Sequence, residues 1–443
     1  MIARTFAGVV AALLAFWLAV QVAPEELAPS VPETIPLSVV GAPLPIACPG
    51  SLAIPVGDVG GTAGSIGSGS DDVRESVFTE SADTPTSVGA GWASSSSLAT
   101  EIERVGSGDI AGLAALACLA PRNEAWFVGG STDIGSSARL VLTNPTGVAS
   151  DVAVTLYGPA GKVDQGLAVA IGPYSQASYL LEGIAAGLST LVVRVEATAA
   201  GVTAAIQDSR LDGFLPAGTE WVVPNEALAQ HVEIPGVGPS DPEGFAGPSV
   251  VRLFAPEDAK VTLQLVTPIG IEPWPAGEDV QLRAGKVVDI EVPPTAIATV
   301  VVDASTPVLA AGYTTVGRPP DEALQGSAAR DSAWVNGQAH SAERSYSVVV
   351  PHYAVSAVVF SATTATFRAV DPAGVVRLTF AVPAGQTSEV PLGVPSGTVL
   401  EVEGAISWSL RVVDLPGFIT AVQPEDVGPV DRVVSVAPGF YVP

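Results

Sequence analysis

The chain has 443 residues, more than one hydrophobic core accommodates and enough for three or four domains. Its formal net charge of -26 argues against nucleic acid or a bare anionic bilayer surface as a partner. With 46 glycines and 38 prolines, abundant valine and alanine, and almost no helix-period stretches, the composition predicts an all-β protein. Lysine occurs only at 162, 260 and 286, a bias expected of a GC-rich genome.

From the N-terminus, Arg4 precedes an uncharged run from Thr5 to Ala23, about 28 Å as a helix and long enough to cross a hydrocarbon core. Glu25 and Glu26 follow it, so the charge asymmetry predicts a cytoplasmic N-terminus with the bulk of the chain outside. Cleavage after Ala23 would leave Gln21 third-last and Pro24 just beyond the cut, which favours an uncleaved single-pass anchor in the cell membrane over secretion after signal removal.

Cys48 and Cys118 then lie on the oxidising side and are expected to form one disulfide. Between them the chain is rich in small polar residues, and Asp71, Asp72 and Glu75 are the candidate ligands for a divalent cation. They lack the offsets of an EF-hand, so a solvated acidic loop is the simpler expectation.

Beyond this module the chain repeats itself. Residues 138–208, 249–316 and 356–414 each carry an apolar strand, an alternating strand, a glycine turn and later returning strands. Arg139-Leu-Val-Leu-Thr-Asn-Pro answers to Val250-Val-Arg-Leu-Phe-Ala-Pro, and Val152-Ala-Val-Thr-Leu-Tyr to Val261-Thr-Leu-Gln-Leu-Val. With about seven short alternating strands each, the copies predict tandem immunoglobulin-like β-sandwich modules behind one N-terminal transmembrane helix. The alternative is a β-propeller with two blades per repeat. Expected boundaries are an anchor at 1–23, a linker at 24–43, an irregular disulfide module at 44–125, and sandwiches at 126–220, 221–333 and 334–443. Gly- and Pro-rich stretches beginning at Ile234 and Val316 read as short semi-rigid joints of a rod.

Catalytic signatures are missing from the sequence: no Gly-x-Ser-x-Gly, Ser-x-x-Lys, His-Glu-x-x-His or phosphate-binding glycine loop with lysine occurs. The three histidines, His231, His340 and His352, are dispersed, and no cofactor is called for. Trp126, Trp221 and Trp334 read as recurrent core plugs near the module starts. Trp274, between Pro273 and Pro275 in a stiff loop, reads as an exposed contact for a ligand.

The segment Ala125-Trp-Phe-Val-Gly-Gly-Ser-Thr-Asp-Ile-Gly, with the strand end Leu140-Val-Leu-Thr-Asn-Pro and the late element Pro307-Val-Leu-Ala, resembles an actinobacterial family of exported or membrane-anchored proteins of unknown function. The resemblance runs over about residues 40 to 420, although the second copy has Ala255-Pro in place of Asn-Pro and the third lacks that element. It implies a cell-envelope setting and no catalytic residues. The functional expectation is a non-catalytic, membrane-tethered extracytoplasmic protein that docks an envelope protein or wall polysaccharide. The alternative is an exported glycan hydrolase using a carboxylate pair that the sequence does not single out.

Overall fold

Alternation in the sequence becomes alternation in burial: along Ser150–Gly158, Val152, Val154 and Leu156 point into the core while Asp151 and Ala153 face water. In the strand Gly112–Ala117 every residue is buried, and so is almost every residue of Ser136–Asn144. A strand with one wet face alternates; a strand covered on both faces reads as an unbroken run of apolar and small residues. Both kinds recur in a fixed order along the chain.

The computed structural model describes residues 35–40, 45–54, 72–78, 85–94, 98–238, 247–295, 297–319, 326–339, 345–371, 373–403, 405–426 and 431–436. The chain is all-β, and its described helical segments are two short 3-10 turns. Among the described residues no helix is long and apolar enough to cross a membrane, and the expected anchor at 1–23 lies outside them. Two bodies are distinguished. In one, Ile35–Val40 pairs antiparallel with Asp431–Val436. The other comprises residues 43–428.

Within that larger body the three repeats share one strand order. The first has an outer sheet, in which Leu167–Ile171 pairs with Ser150–Gly158, then Val192–Ala197 and Glu124–Val128. Its inner sheet runs Ser175–Leu180, Ser136–Asn144, Thr203–Asp212, Leu215–Val222. The third repeats this with Val376–Val382, Ala365–Val370, Val399–Glu403 and Ser345–Val349 outside, and Gln386–Pro391, Ala354–Ser361, Ser407–Asp414 and Phe418–Val422 inside. In the second, the 20-residue strand Ala298–Gly317 passes through both layers. Its first half lies between Ala259–Thr267 and Ala229–Val237, and its second between Val250–Phe254 and Arg330–Asn336.

A fourth, reduced copy precedes them. Val73–Phe78, Ala99–Val105 and Gly112–Ala117 reproduce the last three strands of an inner sheet, beside a small sheet formed by Ile46–Cys48, Gly91–Ser94 and Thr86–Val88. The closing strands of the four copies pack in a ring: Gly112–Ala117 on Leu215–Val222, that on Arg330–Asn336, that on Phe418–Val422, and the last again on Gly112–Ala117.

The repeats are therefore not beads of a rod. Apolar clusters cross each seam: Leu116 with Val141 and Trp221, Tyr313 and Trp334 with the first repeat's core, Ile419 with the second's, and Leu113 with the third's. The stretches expected as joints lie partly within strands, Ile234 to Val237 and Val316 to Gly317, with residues 239–246 and 320–325 outside the described set. The boundaries expected at 220/221 and 333/334 fall inside Leu215–Val222 and Arg330–Asn336. The physical reason is that each inner sheet has two apolar faces, and its own outer sheet covers only one.

Candidate functional site

Two buried carboxylates, Glu220 and Asp331, lie where the closing strands of the four quarters meet. Gly112–Ala117 and Phe418–Val422 are edge strands, and edge N–H groups need partners when buried. Glu220 supplies them: Oε1 accepts from Ala115 N–H (3.2 Å) and Trp221 N–H (2.8 Å), and Oε2 from the Thr420 hydroxyl (2.6 Å) and Ala421 N–H (3.3 Å). Asp331 Oδ2 accepts from Leu113 N–H (3.0 Å) and Ile419 N–H (2.9 Å). Each acid thus ties strands from two other quarters. A Cβ on Gly112 would lie 2.6 Å from Thr219 N and 2.9 Å from Asp331 Oδ1, so the approach of these strands requires glycine there.

Burial pushes Glu220 well above the ordinary carboxylate range, with Asp331 adding to the rise, and pushes Asp331 up to about 8. On the strand Ala99–Val105 burial likewise raises Glu101, against the pull of Arg74, and raises Glu103 to about 7. Glu103 accepts from Leu52 N–H at 2.9 Å. Perturbed acids of this kind mark catalytic sites when they face a cleft. Neither Glu220 nor Asp331 lines any of the three surface cavities described. Their oxygens serve as fasteners between quarters.

Neutral groups fasten the other seams. The Gln207 carboxamide exchanges two hydrogen bonds with the Ala53 backbone (2.8 and 2.9 Å), and Gln338 does the same with Trp408 (2.7 and 3.0 Å). Trp334 Nε1 donates to Asp208 (2.8 Å), and Arg210 binds the same carboxylate while lying 4.3 Å from the Tyr313 ring centre.

The residues singled out by sequence are placed as follows. Cys48 and Cys118 are disulfide-bonded and buried. Asp71 lies outside the described residues; Asp72 accepts from Gly106 N–H at 3.0 Å, and Glu75 pairs with His352. No group that could hold a metal occurs among the described residues. Trp221 and Trp334 are buried on the closing strands of the first and second repeats. Trp126 stands instead on an outer edge strand, half-buried, with Tyr157 and Phe254 against its ring.

Trp274 corrects the expectation of exposure, since it is only 4% exposed. The ring turns inward into the second repeat's core, where the indole N–H donates to Glu291 O at 3.1 Å. The inward turn builds one wall of a trough of about 430 Å³ on the outer sheet, bordered by Thr262, Gln264, Ile271, Glu272 and Glu278. Sequence reasoning did not bring Thr262, Gln264 and Glu278 together, because strand register and a loop decide their meeting. His231 lies across the same sheet, 2.8 Å from Asp303 and 3.2 Å from Glu233. Partial burial works against its protonation, and the two carboxylates outweigh that and raise its pKa.

Fold and sites together define an all-β protein whose buried acids hold strands in place and whose described recesses lie on the surface. The chain belongs to the family described as Family of unknown function (DUF5719), whose model matches residues 73–393. No curated protein and no solved structure matches it. The match starts at the first inner strand of the N-terminal quarter and ends in the third repeat, so it takes in part of all four quarters.

Proposed function

We propose that this protein is a non-catalytic, membrane-tethered, extracytoplasmic component of an actinobacterial cell envelope that docks a protein partner or wall polysaccharide. In this reading its repeats are immunoglobulin-like sandwiches closed on one another, and residues 5–23 form an uncleaved anchor with the N-terminus in the cytoplasm. The hydropathy and flanking charges of that run support the location. One observation carries the docking role: the most deeply buried acids, Glu220 and Asp331, are engaged at the seams, and the recesses lie on the outside of a multiply fastened frame.

The test is in-membrane crosslinking of the full-length chain in its native host, followed by capture under denaturing conditions. The expected result is a chain that resists carbonate extraction and carries a specific envelope protein or wall glycan. A chain found in the soluble fraction without an envelope adduct overturns the proposal, and release of reducing ends from purified wall glycan would establish the hydrolase instead. Deleting the N-terminal quarter is unsuitable as a control, because it removes a member of the ring.

A further inference from the structure

Three repeats with one strand order provide an internal control, because whatever one copy adds beyond the shared frame is not needed to fold it. In the third repeat, Ala365–Val370 and Val376–Val382 pair directly, with one register shift between Ala369 and Val370. In the first, the returning edge is interrupted only over residues 163–166. In the second the interruption runs over residues 273–279 and contains a 3-10 turn, Pro275–Gly277.

This insertion is closely packed. Trp274 anchors it by its buried ring and its bond to Glu291. Gly277 packs so closely that a Cβ there would lie 2.9 Å from Leu263 Cβ, and Asp279 takes a left-handed φ of 52°. A non-glycine residue in that region is strained, and the surrounding packing must offset the strain.

The insertion frames polar groups of a particular kind. Thr262 and Gln264 offer groups that both donate and accept, and Glu272 and Glu278 offer planar acceptors, above the apolar edges of Ile271 and Trp274. Lys260, near by, is held by Asp279 at 2.5 Å, and no cation borders the trough. An anionic ligand is therefore disfavoured. A simple cation would need only the carboxylates, whereas an amide and a hydroxyl beside them match neighbouring sugar hydroxyls, which also donate and accept. The polar surface continues across the sheet, since Thr262 stands opposite Asp303 and Asp303 opposite His231. Three strands at their usual spacing give a width of about 10 Å.

We infer that the outer face of the second repeat binds a neutral, hydroxyl-rich saccharide chain, seated between the Trp274 loop and Gln264 and directed across the sheet toward Asp303. This rests on the docking reading and selects polysaccharide over protein as what the trough holds.

Calorimetric titration of the purified full chain in detergent, with the β-1,4 tetramer of N-acetylglucosamine, with maltotetraose and with oligolysine as a cationic probe, tests it. Saturable binding of a neutral tetrasaccharide is expected, weakened about tenfold or more by Gln264→Ala and by Glu278→Gln, whose side chains carry exposed polar groups. Glu196→Gln, on the outer sheet of the first repeat, should leave it unchanged, and all three variants should melt with the parent. Saccharide binding indifferent to both trough substitutions overturns the site while leaving the docking reading standing. Binding of oligolysine alone, or of no probe, overturns the saccharide assignment, and envelope crosslinking then decides separately whether docking survives.

Discussion

Inner and outer sheets of the same repeat obey different rules. In the outer sheet of the first repeat, alternation leaves ions at the surface, where Arg194 pairs with Glu124 and Glu196 at 2.9 and 3.0 Å with all three side chains substantially exposed. Around the ring axis the faces are dry, and charged groups there are buried and hydrogen-bonded. The comparison teaches that the acidic composition serves two purposes. Exposed pairs contribute little to stability, whereas Glu220 and Asp331 accept from N–H groups on the free edges of Gly112–Ala117 and Phe418–Val422.

The sharpest way to break the inner arrangement is Trp334→Ala. It empties one of the largest fully buried sites and removes one donor from Asp208, which keeps Arg210, so a loss of about 3–5 kcal/mol is expected from denaturant unfolding. Removing the disulfide comes next: with a sequence separation of 70 between Cys48 and Cys118, the chain-entropy model gives about 4 kcal/mol, read as a lower melting temperature after reduction. Glu220→Ala should follow at about 2–4 kcal/mol, because several buried donors lose their acceptor, and Glu220→Gln should recover part of that. A Glu220→Ala protein that melts like the parent would refute the fastening role.

A pH series sharpens the same contrast. Glu103, Asp331 and Glu220 all have folded pKa values raised above the unfolded value, so between roughly pH 4 and 8 the folded state holds more protons than the unfolded state. Stability must then fall as pH rises through that window. His231, whose pKa is also raised, acts in the same direction: its contribution is present at low pH and disappears as it deprotonates. Melting temperatures should therefore decline from pH 5.5 to 8.5, with a shallower decline in Asp331→Asn; a rise over that range contradicts the assignment. The smallest effect belongs outside, where Glu196→Gln should change stability by about 0.5 kcal/mol or less.

Much of the strand order was legible. The period-two runs at Val152 and Val261 are strands with one wet face, and the expected pairing of the chain's two cysteines is present. What misled was the meaning of unbroken apolar runs. Leu113-Ala-Ala-Leu-Ala carries no alternation because both faces of its strand are buried, and that pattern, shared with Val141 to Thr143 and Ala204 to Ile206, was the available sign that inner sheets pack on further partners. Trp274 misled in the opposite way, since two flanking prolines fix a loop's shape without fixing which side of it faces the core.

By itself the sequence determined the all-β class, the repetition, the acidic surface and the covalent link between Cys48 and Cys118. These depend on local periodicity, composition and compartment chemistry, which are properties of short stretches of chain. Only tertiary structure decided that a reduced fourth copy precedes the three and that the four close on one another. It alone also decided that Glu220 and Asp331 hold distant edge strands and that Thr262, Gln264 and Glu278 share a trough. Those outcomes depend on which apolar face meets which, on how a loop folds back over its own strand, and on contacts such as Leu113 to Asp331 and Glu220 to Thr420, 218 and 200 positions apart, where sequence spacing no longer constrains distance.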